Sequence, residues 1–472
     1  MNSAEPHNYA RRASRRIGHA VWWCRRHIER RPLAFIIATV IGLLAGFGAF
    51  LLKRMIGWLS TALTSGLNVV GPDWLLIVLP VIGIPLTGII CRYIFRSNPA
   101  HGVRQLMDAL KAHDYRRPPQ LMFSPLIAST VTLGFGGSAG SEGPIASAGA
   151  AIGSNMARAF RLDSHVMMIM VGCGAGAGIA GIFKAPLGGA LFTLEVLHMS
   201  LTTFTVMVLL VSTLTAGMTA FLLSGCTVDI AIDHVNGFDS SLIGWVMLLG
   251  VVCGLYSLYY SYIMKSVEHL LTAIVNPWVR NILAGLALGL MLFLFPALYG
   301  EGYGVVGHLI NGEYSALTVD SIFAGLGSGP WLMVAVAAGI VALKCFATST
   351  TNSGGGVSGD FAPTLFAGAV MGYLFAVGAN LLFDAELPVP LFAYLGLAGV
   401  MAGAIRAPLM AIFLTAEMTG AYGLLLPLMI AGAISFGIVR LFTADDFYAF
   451  RLDRNNGLVS RINKRLNRKK TR

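Results

Sequence analysis

The chain has 472 residues, of which 56% are apolar and only 12% charged. Its mean hydropathy is +0.72. Soluble domains carry about 25% charged residues, so composition excludes a soluble fold and points to a polytopic membrane protein. The net charge of +11 is concentrated at the ends: residues 1–32 hold eight Arg and two Glu, and residues 451–472 hold nine Lys/Arg and one Asp.

In chain order, "RRIGHAVWWCRRHIERR" comes first and reads as a basic amphipathic helix on the membrane surface. It lacks the apolar core and cleavage site of a signal peptide. By the positive-inside rule both basic ends, 1–32 and 451–472, are expected in the cytoplasm of an inner (plasma) membrane protein. Their role is topology and attachment to lipid, and nothing else in the chain supports binding to nucleic acid. The apolar runs 33–52, 203–224 and 422–442 are long enough to span a bilayer. The runs 144–158, 166–182 and 391–404 are shorter and broken by Gly or Pro. This mixture predicts helices that stop inside the membrane as well as helices that cross it, because broken backbone is tolerated there only where protein or water surrounds it. The chain ends soon after its last apolar run, so no sizeable soluble or regulatory domain is expected there.

Six cysteines (Cys24, Cys91, Cys173, Cys226, Cys253 and Cys345) form no CxxC pair and read as small core residues. The histidines show no metal-ligand spacing, and no GxSxG or Walker motif occurs. Neither a metal nor a cofactor is expected. An intramembrane enzyme would need a nucleophile–base pair or a metal cluster in the apolar segments, and neither is found. The chain is read as not being an enzyme.

One carboxylate stands out. In "GGSAGSEGPIAS" (136–147), Glu142 lies among small residues in an apolar neighbourhood. Such a residue is costly and functional by default.

The chain also contains an internal repeat. "FKAPLGGALFTLEV" (183–196) matches "IRAPLMAIFLTAEM" (405–418), pairing Pro186 with Pro408 and Glu195 with Glu417. "GPIASAGAAIG" (143–153) matches "APTLFAGAVMG" (362–372), pairing Gly149 with Gly368 and Gly153 with Gly372. "GLLAG" (42–46) is fainter against "GVVCG" (250–254). Two membrane halves are expected, 33–224 and 241–450, with a site between them made by half-helix ends. "GSEGP" (140–144) and "GDFAP" (359–363) are then partners, each a Gly-rich segment feeding a helix with Pro in its first turn. Free N–H groups and positive helix ends at one place are the chemistry of an anion site. They argue against a cation transporter that uses Glu142 and Asp360 as ligands.

At these residues the sequence resembles the CLC family of chloride channels and chloride/proton antiporters. The likeness covers about 33–450: "GSEGP" and "GDFAP" stand for two of the family's signature stretches, Tyr448 in "DDFYAF" for its late tyrosine, and "AHGVR" (100–104) for a much altered first signature. The resemblance implies an all-α fold of about eighteen tilted and partial helices in two inverted repeats. It implies a homodimer with one chloride path per subunit. The implied anion ligands are the N–H groups of Asp360 and Phe361, the Tyr448 hydroxyl, the segment at His101, and Gly140, Ser141 and Gly143 around the gate. Glu142 would be the gating glutamate, a tethered anion that leaves its cradle when protonated or displaced.

The chain departs from the family pattern at four positions. Ser141 replaces the common Arg before the gate, His101 replaces a selectivity serine, and Asp360 places an acid inside the cradle motif. Val196 stands where proton-coupled members carry an inner glutamate. Glu195, beside it, lies about 100° round a helix and is expected, with Glu417, to bond loop N–H groups in a symmetric structural role. The expectation is passive chloride flux with weak or no proton coupling. An antiporter that uses a water wire, or a fluoride-exporting variant, stays open at this point.

Overall fold

The computed structural model describes residues 27–65, 73–96, 102–227, 230, 238–319, 321–323 and 329–443. His101, Tyr448 and the N-terminal stretch 1–26 lie outside the described residues. Among those described there are sixteen α-helices, supplemented by short 3₁₀ and π turns. The first half holds α1 (Arg30–Thr64), α2 (Leu75–Ile89), α3 (Gly102–Lys111), α4 (Ser124–Gly134), α5 (Glu142–Ala159), α6 (Ser164–Phe183), α7 (Pro186–Leu191) and α8 (Thr203–Leu223). The second holds α9 (Ile243–Thr272), α10 (Pro277–Leu294), α11 (Tyr303–Ile310), α12 (Pro330–Ser353), α13 (Phe361–Phe383), α14 (Val389–Ile405), α15 (Pro408–Thr419) and α16 (Leu425–Phe442).

Proline decides where many of these helices begin. Pro125, Pro186, Pro277, Pro330 and Pro408 all fall in the first two positions of a helix, where the missing N–H costs nothing. Two helix ends show the repeat directly. Lys184 after α6 and Arg406 after α14 both adopt left-handed backbone, with φ of 54° and 63°. Each turns the chain into "APL" and a new short helix.

Burial separates centre from rim. In α6, 89% of the spanning window is buried, against 39% in α8, α9 and α16. The rim helices expose rows of large apolar side chains, such as Leu43, Phe47 and Leu51 on α1 and Leu214, Met218 and Leu222 on α8. Contiguous exposed apolar surface of this kind suits lipid, not water. Nine helices among the described residues are long and apolar enough to cross a membrane.

The centre is packed backbone to backbone. A Cβ on Gly149 of α5 would collide with the Gly174 carbonyl of α6, and one on Gly174 with the Gly149 carbonyl. The second half repeats this crossing with Gly368 of α13 and Gly396 of α14. Gly153 and Gly372 meet the carbonyls of Met170 and Phe392 in the same way. Small residues let membrane helices approach closely where no hydrophobic drive exists between them.

A Gly174→Ala substitution should therefore overpack the crossing and cost about 3 kcal/mol. The thermal midpoint of the detergent-purified protein should fall by several degrees. Gly378→Ala, on α13 with no atom near its added Cβ, should leave the midpoint level or raise it.

Candidate functional site

The two glycine motifs meet at a single β-bridge, the one β pairing among the described residues. The Gly140 N–H donates to the Gly359 carbonyl at 2.9 Å, and the Gly359 N–H donates back to Gly140 at 2.6 Å. This pairing brings the starts of α5 and α13 together. Gly102, at the start of α3, joins them, because a Cβ there would lie 2.5 Å from the Gly143 carbonyl.

Glu142 opens α5 and is 1% exposed. Its Oε1 accepts a short hydrogen bond from the Ala362 N–H in the first turn of α13. Its Oε2 is buried with no hydrogen-bond partner. The carboxylate needs the space that glycine leaves: a Cβ on Gly140 or Gly359 would strike it. Glu142 thus lies on the positive end of a facing helix, where an anion is stabilised. The donor is Ala362, one residue beyond the expected pair Asp360 and Phe361.

The acid in the second motif is turned aside. Asn352 Nδ2 donates to Asp360 Oδ1 at 2.7 Å, and Ser358 Oγ donates to Asn352 Oδ1. The Val357 N–H donates to Thr132 Oγ1 at 3.0 Å, which ties the same loop to α4. Phe361 is buried and meets Phe192 edge-on at 5.6 Å. Phe192 begins a five-residue π-turn, Phe192–Val196, in place of the α-helix expected there. Val196 is 4% exposed within it.

Glu195 and Glu417 exchange places across the two halves. Glu195 accepts from the N–H groups of Leu409 and Met410 at 3.2 and 2.7 Å, in the first turn of α15. Glu417 accepts from Leu187 and Gly188 at 3.0 and 2.8 Å, in the first turn of α7. Each carboxylate satisfies two N–H groups that a helix start leaves open.

Two ionisable neighbours of Glu142 were not singled out from the sequence. Glu301 Oε1 accepts from the Ser141 N–H at 2.9 Å and from its hydroxyl at 2.5 Å. Lys344, fully buried on α12, donates to Ser138 Oγ at 2.9 Å and lies 4.6 Å over the Phe366 ring. It acts through space on both Glu301 and Glu142. Ser141, where the resemblance puts an Arg, brings no charge of its own to this place. Lys344 is a basic side chain near Glu142 that comes from a different helix, α12. The signal for it was a lone lysine inside the apolar run 330–353, which merits the same attention as Glu142.

These features define a class: a two-halved membrane protein whose broken helices converge, N-terminus first, on one buried acid. The profile of the voltage gated chloride channel family matches residues 83–440. The chain belongs to that family, known as CLC. It is 31% identical over 401 residues to a Ralstonia nicotianae protein named putative chloride channel protein ClcB-like, covering 83% of this chain and 88% of that one. It is 30% identical to the Escherichia coli voltage-gated ClC-type chloride channel ClcB, over 88% of this chain and 97% of that one. It is 26% identical to the Vibrio cholerae H(+)/Cl(−) exchange transporter ClcA, over 86% and 87%. A slow cyanobacterial Cl−/H+ antiporter shares its fold with a TM-score of 0.74 at 23% identity, covering 91% of this chain and 98% of that one.

Replacing Glu417 by Ala should leave the Leu187 and Gly188 N–H groups open and lower stability by about 2 kcal/mol. Glu417→Gln, which keeps one acceptor oxygen, should lose about half as much. Glu195→Ala should match Glu417→Ala in thermal melts. A midpoint equal to that of the parent in both Ala variants would show that the exchanged carboxylates hold nothing.

Proposed function

We propose that the protein carries chloride across the membrane through a path that Glu142 closes. The observation that carries this reading is the Glu142 carboxylate accepting the Ala362 N–H at the start of α13. The carboxylate stands in for a dehydrated anion on the same donors. Its open Oε2 is where a proton can add. Once neutral, the side chain loses its attraction to the helix end and leaves the cradle to chloride. The same cradle suits a related monovalent anion such as fluoride. We place the chain in an inner (plasma) membrane with both ends cytoplasmic, as a homodimer with one path per subunit.

We read the flux as passive, with weak or no proton coupling. Val196 cannot carry a proton, and Glu195 beside it is engaged with α15. The second reading is a chloride/proton exchanger, favoured by the exchanger name of the Vibrio cholerae relative. It would need water to bridge the gap beside Val196.

In proteoliposomes, Glu142→Gln should raise chloride flux severalfold and flatten its dependence on pH between about 4 and 8. An unchanged flux and pH response would remove Glu142 from the gate. With a chloride gradient imposed, the external pH should stay level. Sustained uphill proton movement at a fixed ratio, lost in Glu142→Gln, would establish the exchanger instead.

A further inference from the structure

Glu301 has no part in the cycle just described, yet it touches the gate helix. It lies in "YGEGYG", between Gly300 and Gly302, whose φ angles are +64° and +83°. A Cβ at Gly302 would also strike the Phe366 ring. Left-handed glycines on both sides let this short turn double back and present the carboxylate to α5. Its Oε1 takes both donors of Ser141, the residue directly before Glu142. Glu301 is partly exposed, whereas Glu142 is buried.

The charged and titratable groups around Glu301 come from several elements. Lys344 of α12 and Glu142 of α5 interact with it through space. Lys53 of α1 lies 5.3 Å over the ring of Tyr303, two residues after Glu301. Tyr299, two residues before it, donates its hydroxyl to the Gly134 carbonyl at 2.7 Å. Asp360, in the second motif, is held by Asn352 and acts on Glu142 only through space. Three acids, Glu142, Glu301 and Asp360, and the lysine Lys344 therefore act on one another around the start of α5.

Resting on the reading of Glu142 as the gate, we propose that Glu301 is a positioning residue for it. Through Ser141 it fixes the first turn of α5, and it sets a second negative charge beside Glu142, so that the pH at which the path opens depends on it. Two neighbouring carboxylates resist being ionised together. A charged Glu301 therefore helps Glu142 keep a proton, and the open path persists to higher pH. Lys344 opposes this effect. Ser141, standing where the family commonly carries Arg, meets Glu301 with two neutral donors.

The test measures chloride efflux from proteoliposomes across a pH series for the parent, Glu301→Gln, Glu142→Gln and the double variant. Gln keeps an oxygen for the Ser141 donors and removes only the charge. Glu301→Gln should move the midpoint of the pH response by about one unit toward acid. The double variant should match Glu142→Gln in both flux and pH response. An unmoved midpoint in Glu301→Gln overturns the proposal. So does an equal change in flux with and without Glu142, which would mark a structural or mouth effect. Should Glu301→Gln not yield folded protein, Glu301→Ser, small and neutral, should give the same acid shift. Parent-like behaviour of Glu142→Gln alone sinks the gate reading, and Glu301 then has no gate to act on.

Discussion

A carboxylate withdrawn from water must find a positive partner, and here that partner is the start of a helix. The bond from Ala362 to Glu142 dictates much of the surrounding structure. For the helix start to lie inside the protein, α13 must begin there, at Phe361, where the chain is buried. For the carboxylate to reach it, the backbone on both sides must lack side chains, hence Gly140 and Gly359 joined edge to edge. The prolines of "GSEGP" and "GDFAP" follow from the same need, because the first turn of a helix has no use for the N–H that proline lacks.

Two crossings hold this arrangement rigid. Gly149 against Gly174 and Gly368 against Gly396 bring α5 onto α6 and α13 onto α14 with carbonyls in the place of side chains. Neither α5 nor α13 can shift along its partner without losing this fit. Movement in the site is thereby left to a side chain. That suits the proposed gate, a single glutamate whose rotation would break one short hydrogen bond and disturb no packed helix.

Much of this was legible in the sequence, and the reasons differ by residue. Glu142 was visible because a lone acid among glycines in an apolar stretch has few bland explanations. The repeat was visible because "APL" and its glutamate recur with the same internal spacing, and in the structure Lys184 and Arg406 share a left-handed backbone. Glu301 was hidden because an acid in a Gly-rich turn looks like an ordinary loop residue. Only the fold carries it 160 residues back to Ser141. Lys344 was hidden by its long apolar helix, although its charge alone could have marked it. The Phe192–Val196 segment read as α-helix because π-turns leave no pattern in the spacing of apolar residues. The Ala362 N–H was not foreseen as the donor to Glu142, because a sequence motif locates a helix start but not which of its N–H groups meets a facing side chain.

The exchanged bonds of Glu195 and Glu417 also bear on the order in which the molecule can be completed. The carboxylate that closes α7 lies about 230 residues downstream of that helix. At a ribosomal pace of about 5–20 residues per second, α7 waits roughly 10–50 s with two bare N–H groups. Over that interval the first half is an unfinished object within the bilayer, held by whatever lipid or insertion machinery covers it. Both ties close only when α15 arrives, so this seam between the halves is sealed after the pairing of Gly140 with Gly359 has become possible.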